Sequence, residues 1–202
     1  MTFAVLRGPF AALLAAVALM SAAFAQAPAR PDGGAATTLI EKLMSDAAAI
    51  YSDEALSEAE QDAAFAELLS DAFALDFMAT YALRGREKAL NAEQRAAYKD
   101  AFPAYFAASF ASQFGAIAER PFTAKGVDEV GARDLVVHSM IERDGAKDVA
   151  IDWRMRQFED GPKAVDVIAS GSSILLARRR DIAAVLETQG PDGLIAALRA
   201  RS

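Results

Sequence analysis

The run Lys163-Ala164-Val165-Asp166-Val167-Ile168-Ala169-Ser170-Gly171-Ser172-Ser173-Ile174-Leu175-Leu176-Ala177-Arg178-Arg179-Arg180 changes its periodicity halfway along. Its first part reads as a short strand, with Val165 and Val167 apolar on one side. Ser170-Gly171-Ser172-Ser173 is a flexible link. An apolar run over 174–176 follows, and the basic triplet Arg178-Arg179-Arg180 opens a helix. A sheet therefore ends here and a closing helical layer begins.

Working back from this point, Glu159-Asp160-Gly161-Pro162 is a turn, and residues 148–158 before it alternate cleanly. Val149, Ile151, Trp153 and Met155 share one face, and Asp152, Arg154 and Arg156 the other. Arg143-Asp144-Gly145 is a hairpin turn. Residues 134–142 place Leu135, Val137, Ser139 and Ile141 together, and Phe122–Val130 is a weaker first strand. The sum is an antiparallel meander of about four strands with one covered face and one wet face. Asp152 and Arg154 are placed to pair on the wet side.

Upstream the period is helical. Thr37 or Thr38 begins a first helix with Leu39, Leu43, Ala47 and Ile50 on one face. Ser57-Glu58-Ala59-Glu60 is a capping box for a second, whose apolar face is Phe65, Leu68, Leu69, Ala72 and Phe73. A third segment, Leu75–Leu83, stops at Gly85. Asn91-Ala92-Glu93-Gln94 caps the most aromatic helix, in which Tyr98, Phe102, Tyr105, Phe106, Phe110 and Phe114 recur on one side. Pro103 either kinks this helix or begins a new one capped by Asp100. Downstream, residues 178–188 are amphipathic through Ile182, Val185 and Leu186 and end at Gly190. Pro191-Asp192-Gly193 starts a last short helix with Leu194, Ile195 and Leu198. The expected fold is α+β: N-terminal and C-terminal helices packed on a roughly four-stranded antiparallel sheet.

The first residues resemble a secretory signal. Arg7 precedes an apolar stretch over residues 10–20, and Ala23-Phe24-Ala25 offers a small-x-small cleavage site before Gln26. The stretch is short for a membrane span, which needs ~20 apolar residues. Three segments follow: a signal over 1–25, a flexible Pro/Gly/Ala leader over 26–36, and one domain over 37–202. An exported, periplasmic location is expected. Removing the signal takes away Arg7 alone, leaving 20 basic against 28 acidic residues, a net charge of −8. Such a chain is a poor partner for nucleic acid. It has no cysteine, so disulfides, thiol catalysis and thiolate metal sites are all ruled out.

An enzyme has little to be built from. His138 is the one histidine, and it sits on the less apolar side of its strand. Asp71, Asp76, Glu58 and Glu60 fall on helix starts or polar faces, where the helix dipole and solvation account for them. Gly171-Ser172-Ser173 supplies a serine whose only available base is His138. The reading is therefore no catalytic residue, no metal and no cofactor. The triplet Arg178-Arg179-Arg180 pairs with Asp181 and Glu187 or meets an anionic group.

Asp166, Val167, Gly171, Ser173 and Arg179 match, in order, the Asp-Val strand, Gly-x-Ser turn and following Arg of the MlaC (toluene-tolerance) family, which the chain resembles. Leu75-Asp76-Phe77, Asn91-Ala92-Glu93-Gln94, the strand Val149 to Met155 and the segment 193–198 match further family motifs, with Trp153 in place of a Tyr and Arg154 at the family's Arg. Leu83-Arg84-Gly85-Arg86 lacks the family's Trp, Ser170 replaces a Glu, and the Arg pair after the apolar run is similar to the hopanoid-associated HpnM branch. The resemblance implies a nuclear-transport-factor-like cleft and a phospholipid or hopanoid cargo. It also implies partners in an inner-membrane MCE-type ABC transporter and an outer-membrane lipoprotein complex. Tail-lining candidates are Phe102, Tyr105, Phe106 and Phe110 on the aromatic helix. On the sheet they are Val137, Val149, Ile151, Trp153, Val165 and Val167, with Arg154 and Arg179 at the rim. Two rival readings are an envelope adaptor with a closed core and a hydrolase built on His138.

Overall fold

The computed structural model describes residues 29–118, 120–143, 145 and 147–201. The signal with its cleavage site, leader residues 26–28 and Asp144 of the hairpin turn lie outside the described residues.

Alternation in the sequence becomes alternation in burial. Strand β2 (Asp134–Ile141) buries Leu135, Val137, Ser139 and Ile141 and leaves Val136, His138 and Met140 half-exposed. Strand β3 (Val149–Phe158) buries Ile151, Trp153 and Met155. With β1 (Phe122–Val130), β4 (Gly161–Ala169) and β5 (Ser172–Ser173) they form an antiparallel sheet in simple order, β1-β2-β3-β4-β5. Its register sets Val137 opposite Trp153 and Trp153 opposite Val167, a row of apolar groups across the middle. Near it, β4 carries a bulge between the pairs Arg154↔Asp166 and Met155↔Ala164.

The sheet has five strands where four were expected, because residues 172–173 are not a free link. Ser170 (φ 49°) and Gly171 (φ 81°) both take left-handed backbone, as the two central residues of a tight hairpin do. This folds Ser172 and Ser173 back on Ala169 and Ile168.

Among the described residues, four α-helices precede the sheet: α1 (Gly33–Ser52), α2 (Glu58–Ala72), α3 (Leu75–Leu83) and α4 (Ala92–Ala118). Helix α1 begins earlier than Thr37, since the Asp32 carboxylate accepts the Ala35 N–H at 2.8 Å and Ala36 is fully buried. Arg30 pairs with Glu129 and donates to the Gly131 carbonyl at 2.6 Å, tying the leader to the β1–β2 hairpin. Helix α1 thus takes in residues 33–36, which the sequence reading places in the leader. Ser57 and Glu60 close the capping box of α2 reciprocally. Helix α4 runs unbroken through Pro103, so neither a break nor a new cap at Asp100 is seen.

After the sheet comes α5 (Ile174–Arg199), interrupted at Gly190 (φ 71°) into the two helical pieces the sequence gives. It starts at Ile174, so the apolar run 174–176 is its first turn and the arginines its second. The helices pack against the apolar side of the sheet, and one contiguous core joins both layers.

Candidate apolar binding site

The aromatic stripe of α4 and the covered face of the sheet are in direct contact. Along α4, Phe102, Phe106, Phe110 and Phe114 succeed one another at ring-centroid distances of 6.0, 4.8 and 5.8 Å. Phe114 meets Trp153 of β3 edge-on at 6.2 Å. Phe73, the residue that ends α2, reaches Phe106 at 5.5 Å, Phe110 at 6.1 Å and Trp153 at 6.4 Å. It therefore links the helix rings to the sheet. Such tilted and edge-on contacts are favourable geometries for aromatic pairs.

The polar groups at Trp153, Ser139 and Tyr98 are paired. The Trp153 indole donates to the Ser139 hydroxyl at 3.0 Å, and that hydroxyl donates to the Ile151 carbonyl at 2.7 Å. Tyr98 donates to the Ala79 carbonyl at 3.0 Å, and burial pushes its phenol well above the ordinary value. Among the described residues no cluster of His, Asp and Glu could hold a metal ion, and no helix is long and apolar enough to cross a membrane.

The structure brings together most of the sequence candidates. Phe102, Tyr105, Phe106, Phe110, Val137, Ile151, Trp153 and Val167 are all buried in the shared core, and Val149 packs against its edge. Val165 is buried but stands outside that core, beside the bulge of β4. Phe73 touches rings of both α4 and the sheet, yet the sequence reads it only as one member of the α2 face. Its place at a helix end, two residues before the next helix, is not visible as a period.

The two candidate rim arginines lie elsewhere. Arg154 is on the wet side of the sheet, where it and Arg156 grip the buried Asp134 carboxylate (2.8 Å from Arg154, 2.6 and 2.9 Å from Arg156). Burial pushes the Asp134 pKa up, but the two guanidinium groups outweigh it and hold the carboxyl below its usual range. Arg179 donates to the Arg84 carbonyl at 3.1 Å and lies 5.5 Å over the Tyr81 ring. The expected Asp152–Arg154 pair does not form, because Asp152 holds His138. Of the triplet's expected partners, Asp181 binds Arg178 at 2.9 Å, while Glu187 is held by Arg86.

The wet face also disposes of the serine–histidine idea. His138 is clamped by Asp152 at Nδ1 (2.8 Å) and Asp128 at Nε2 (3.2 Å). Ser173 lies three strands away, about 14 Å at the usual strand spacing. Its hydroxyl donates to Asp166 at 2.6 Å and accepts the Leu176 N–H at 3.0 Å, while the other Asp166 oxygen takes the Leu175 N–H at 3.0 Å. Asp166 and Ser173, the polar heart of the strand–turn–helix signature, together cap α5.

That signature has a place among known proteins. The family profile described as MlaC protein matches residues 36–200. The chain belongs to the MlaC family. No curated protein sequence matches it significantly. Among solved structures, this MlaC-family chain is similar to the phospholipid-binding protein from Ralstonia solanacearum, determined in complex with a phospholipid. The two share 19% identity and a TM-score of 0.69, over 87% of this chain and 97% of the other. The likeness is one of fold: an MlaC-type α+β architecture.

Proposed function

We propose that the protein is a periplasmic phospholipid carrier. It holds acyl chains between α4 and the sheet and shuttles them between an inner-membrane MCE-type ABC transporter and an outer-membrane lipoprotein complex. The signal over 1–25, cleaved near Ala25-Gln26, would deliver it there. Family membership and a fold shared with a phospholipid-bound relative support this reading. The observation that carries it is the aromatic layer, a run of phenylalanines sharing one core with Val137, Ile151, Trp153 and Val167, in which the Trp153 indole is paired with Ser139.

The energetics suit the task. A diacyl lipid has about 30 methylenes, so leaving them in water costs on the order of 25 kcal/mol. A carrier need only approach the bilayer's affinity, so that both loading and release stay feasible. Few polar anchors are needed, and the head group can remain in water. The same chemistry would accept a hopanoid.

One observation favours a second reading, an adaptor of the envelope with a permanently closed core: the rings of α4 and the sheet already touch. Native mass spectrometry of protein purified from its own periplasm, followed by organic extraction, separates these. Near-stoichiometric phospholipid is the expected result. A hopanoid would reassign the cargo, and a bare chain with no uptake from added vesicles would leave the adaptor.

A further inference from the structure

Three mechanical weak points of the fold meet at one surface groove. The first is the joint between α2 and α3, which consists of Phe73 and Ala74 alone. Its backbone is held to the sheet by a bridge from Phe73 to Ala164 and by the Ala74 N–H on the Ala164 carbonyl at 3.0 Å. The second is the bulge of β4, which has Ala164 at its edge and interrupts the ladder there. The third is Pro103 in the middle of α4, which has no N–H to give the Lys99 carbonyl.

Between them lies a groove of about 370 Å³ with Phe73, Leu75, Phe77, Pro103 and Phe158 in its walls and the Lys163–Asp160 ion pair at its rim. Phe73 is the back wall of this groove and at the same time touches Phe106, Phe110 and Trp153 on the inside. Phe73 thus has the groove on one side and the aromatic layer on the other. The larger groove between α1 and β1, about 600 Å³, is different. Its wall includes Met44, Ala48, Pro121, Phe122 and Ala124 beside polar neighbours, but none of the rings of α4 nor Trp153.

Resting on the carrier reading, we propose that acyl chains enter the core through the α2–α3 groove, with Phe73 as the plug. Rotation of one ring opens the way, and the thinly held joint and the interrupted ladders around it can give without disturbing the sheet. The head group then remains at the rim beside Lys163.

Trp153 is the single tryptophan and lies against the plug, so it reports arrival directly. Mature protein is mixed with phosphatidylglycerol–phosphatidylethanolamine vesicles carrying brominated acyl chains, and the rate of tryptophan quenching is followed. Ser70, exposed on α2, lines the groove, and Ser45, exposed on α1, lines the other one. Ser70→Tyr is expected to slow quenching by about tenfold while leaving its final extent intact. Ser45→Tyr should match wild type, and Phe73→Leu should quench faster. Slowing by Ser45→Tyr but not by Ser70→Tyr would overturn the portal, as would an unchanged rate in Phe73→Leu. Absence of quenching in the wild type would instead remove the carrier reading itself, and the portal with it.

Discussion

Ser139 illustrates how one hydroxyl can serve two neighbours in a place where water is excluded. It receives the Trp153 indole and spends its own proton on a strand carbonyl. Ser139→Ala leaves a buried indole N–H without an acceptor, which should destabilise the fold by about 1–3 kcal/mol in urea denaturation. Asp166, also buried, follows the same logic. Asp166→Ala removes the carboxylate that accepts from Ser173 and Leu175 and should lose about 1 kcal/mol, as helix caps do. Asp166→Asn keeps one acceptor and should recover part of that loss. Because Asp166 acts on the helix end, neither change should alter which lipid co-purifies. A cargo switch in Asp166→Asn, read by mass spectrometry, would show that the residue does more than cap.

The sheet carries a pH dependence in its β1, β2 and β3 strands. The hydrogen bond to Asp152 does most to raise the His138 pKa above its ordinary 6.5; burial, the next largest effect, opposes it, and the bond to Asp128 adds to the rise. A group whose pKa rises on folding stabilises the fold below its unfolded value, and that contribution disappears as pH climbs through the raised one. Urea denaturation should therefore separate wild type from His138→Gln at about pH 5.5 and bring them together near pH 8.5. Equal differences at both would mean that the ion pairs contribute nothing. Elements of this kind were legible in the sequence wherever a period or a cap wrote them out: β2, β3, the capping box at Ser57 and the break at Gly190. What was not legible depended on partners distant in the chain. The start of α1 is set by the Asp32 cap together with the packing of Ala36 into the core. β5 depends on Ser170 adopting a backbone that a serine seldom takes. Alternation did place Arg154 on the opposite side from Trp153, but it could not show that Asp134 would claim it. The family resemblance pointed to the right fold, and its Asp and Ser, read only as part of a motif, are the groups that cap α5.

At the scale of the whole molecule, the core is a closed contact between two layers, and a test of its tightness follows. Val167→Trp adds volume opposite Trp153, where Phe73 and Phe114 already press. It should destabilise by about 1–3 kcal/mol, measured by circular dichroism in urea, and it should reduce lipid recovered on extraction. A neutral effect on stability would mean that the layers part easily. The order of elements along the chain bears on how such a molecule comes into being. Each strand pairs with its successor, so the sheet can zip up hairpin by hairpin with short loop closures. The helices bearing Phe65, Phe102 and Phe106, however, are made before any strand that covers them. As the chain emerges from its N-terminus, that face stays bare until β2 and β3 have followed. The greasy surface suited to a lipid is thus, for the time it takes to extend the chain to about Phe158, a surface open to aggregation and to any chaperone that meets it.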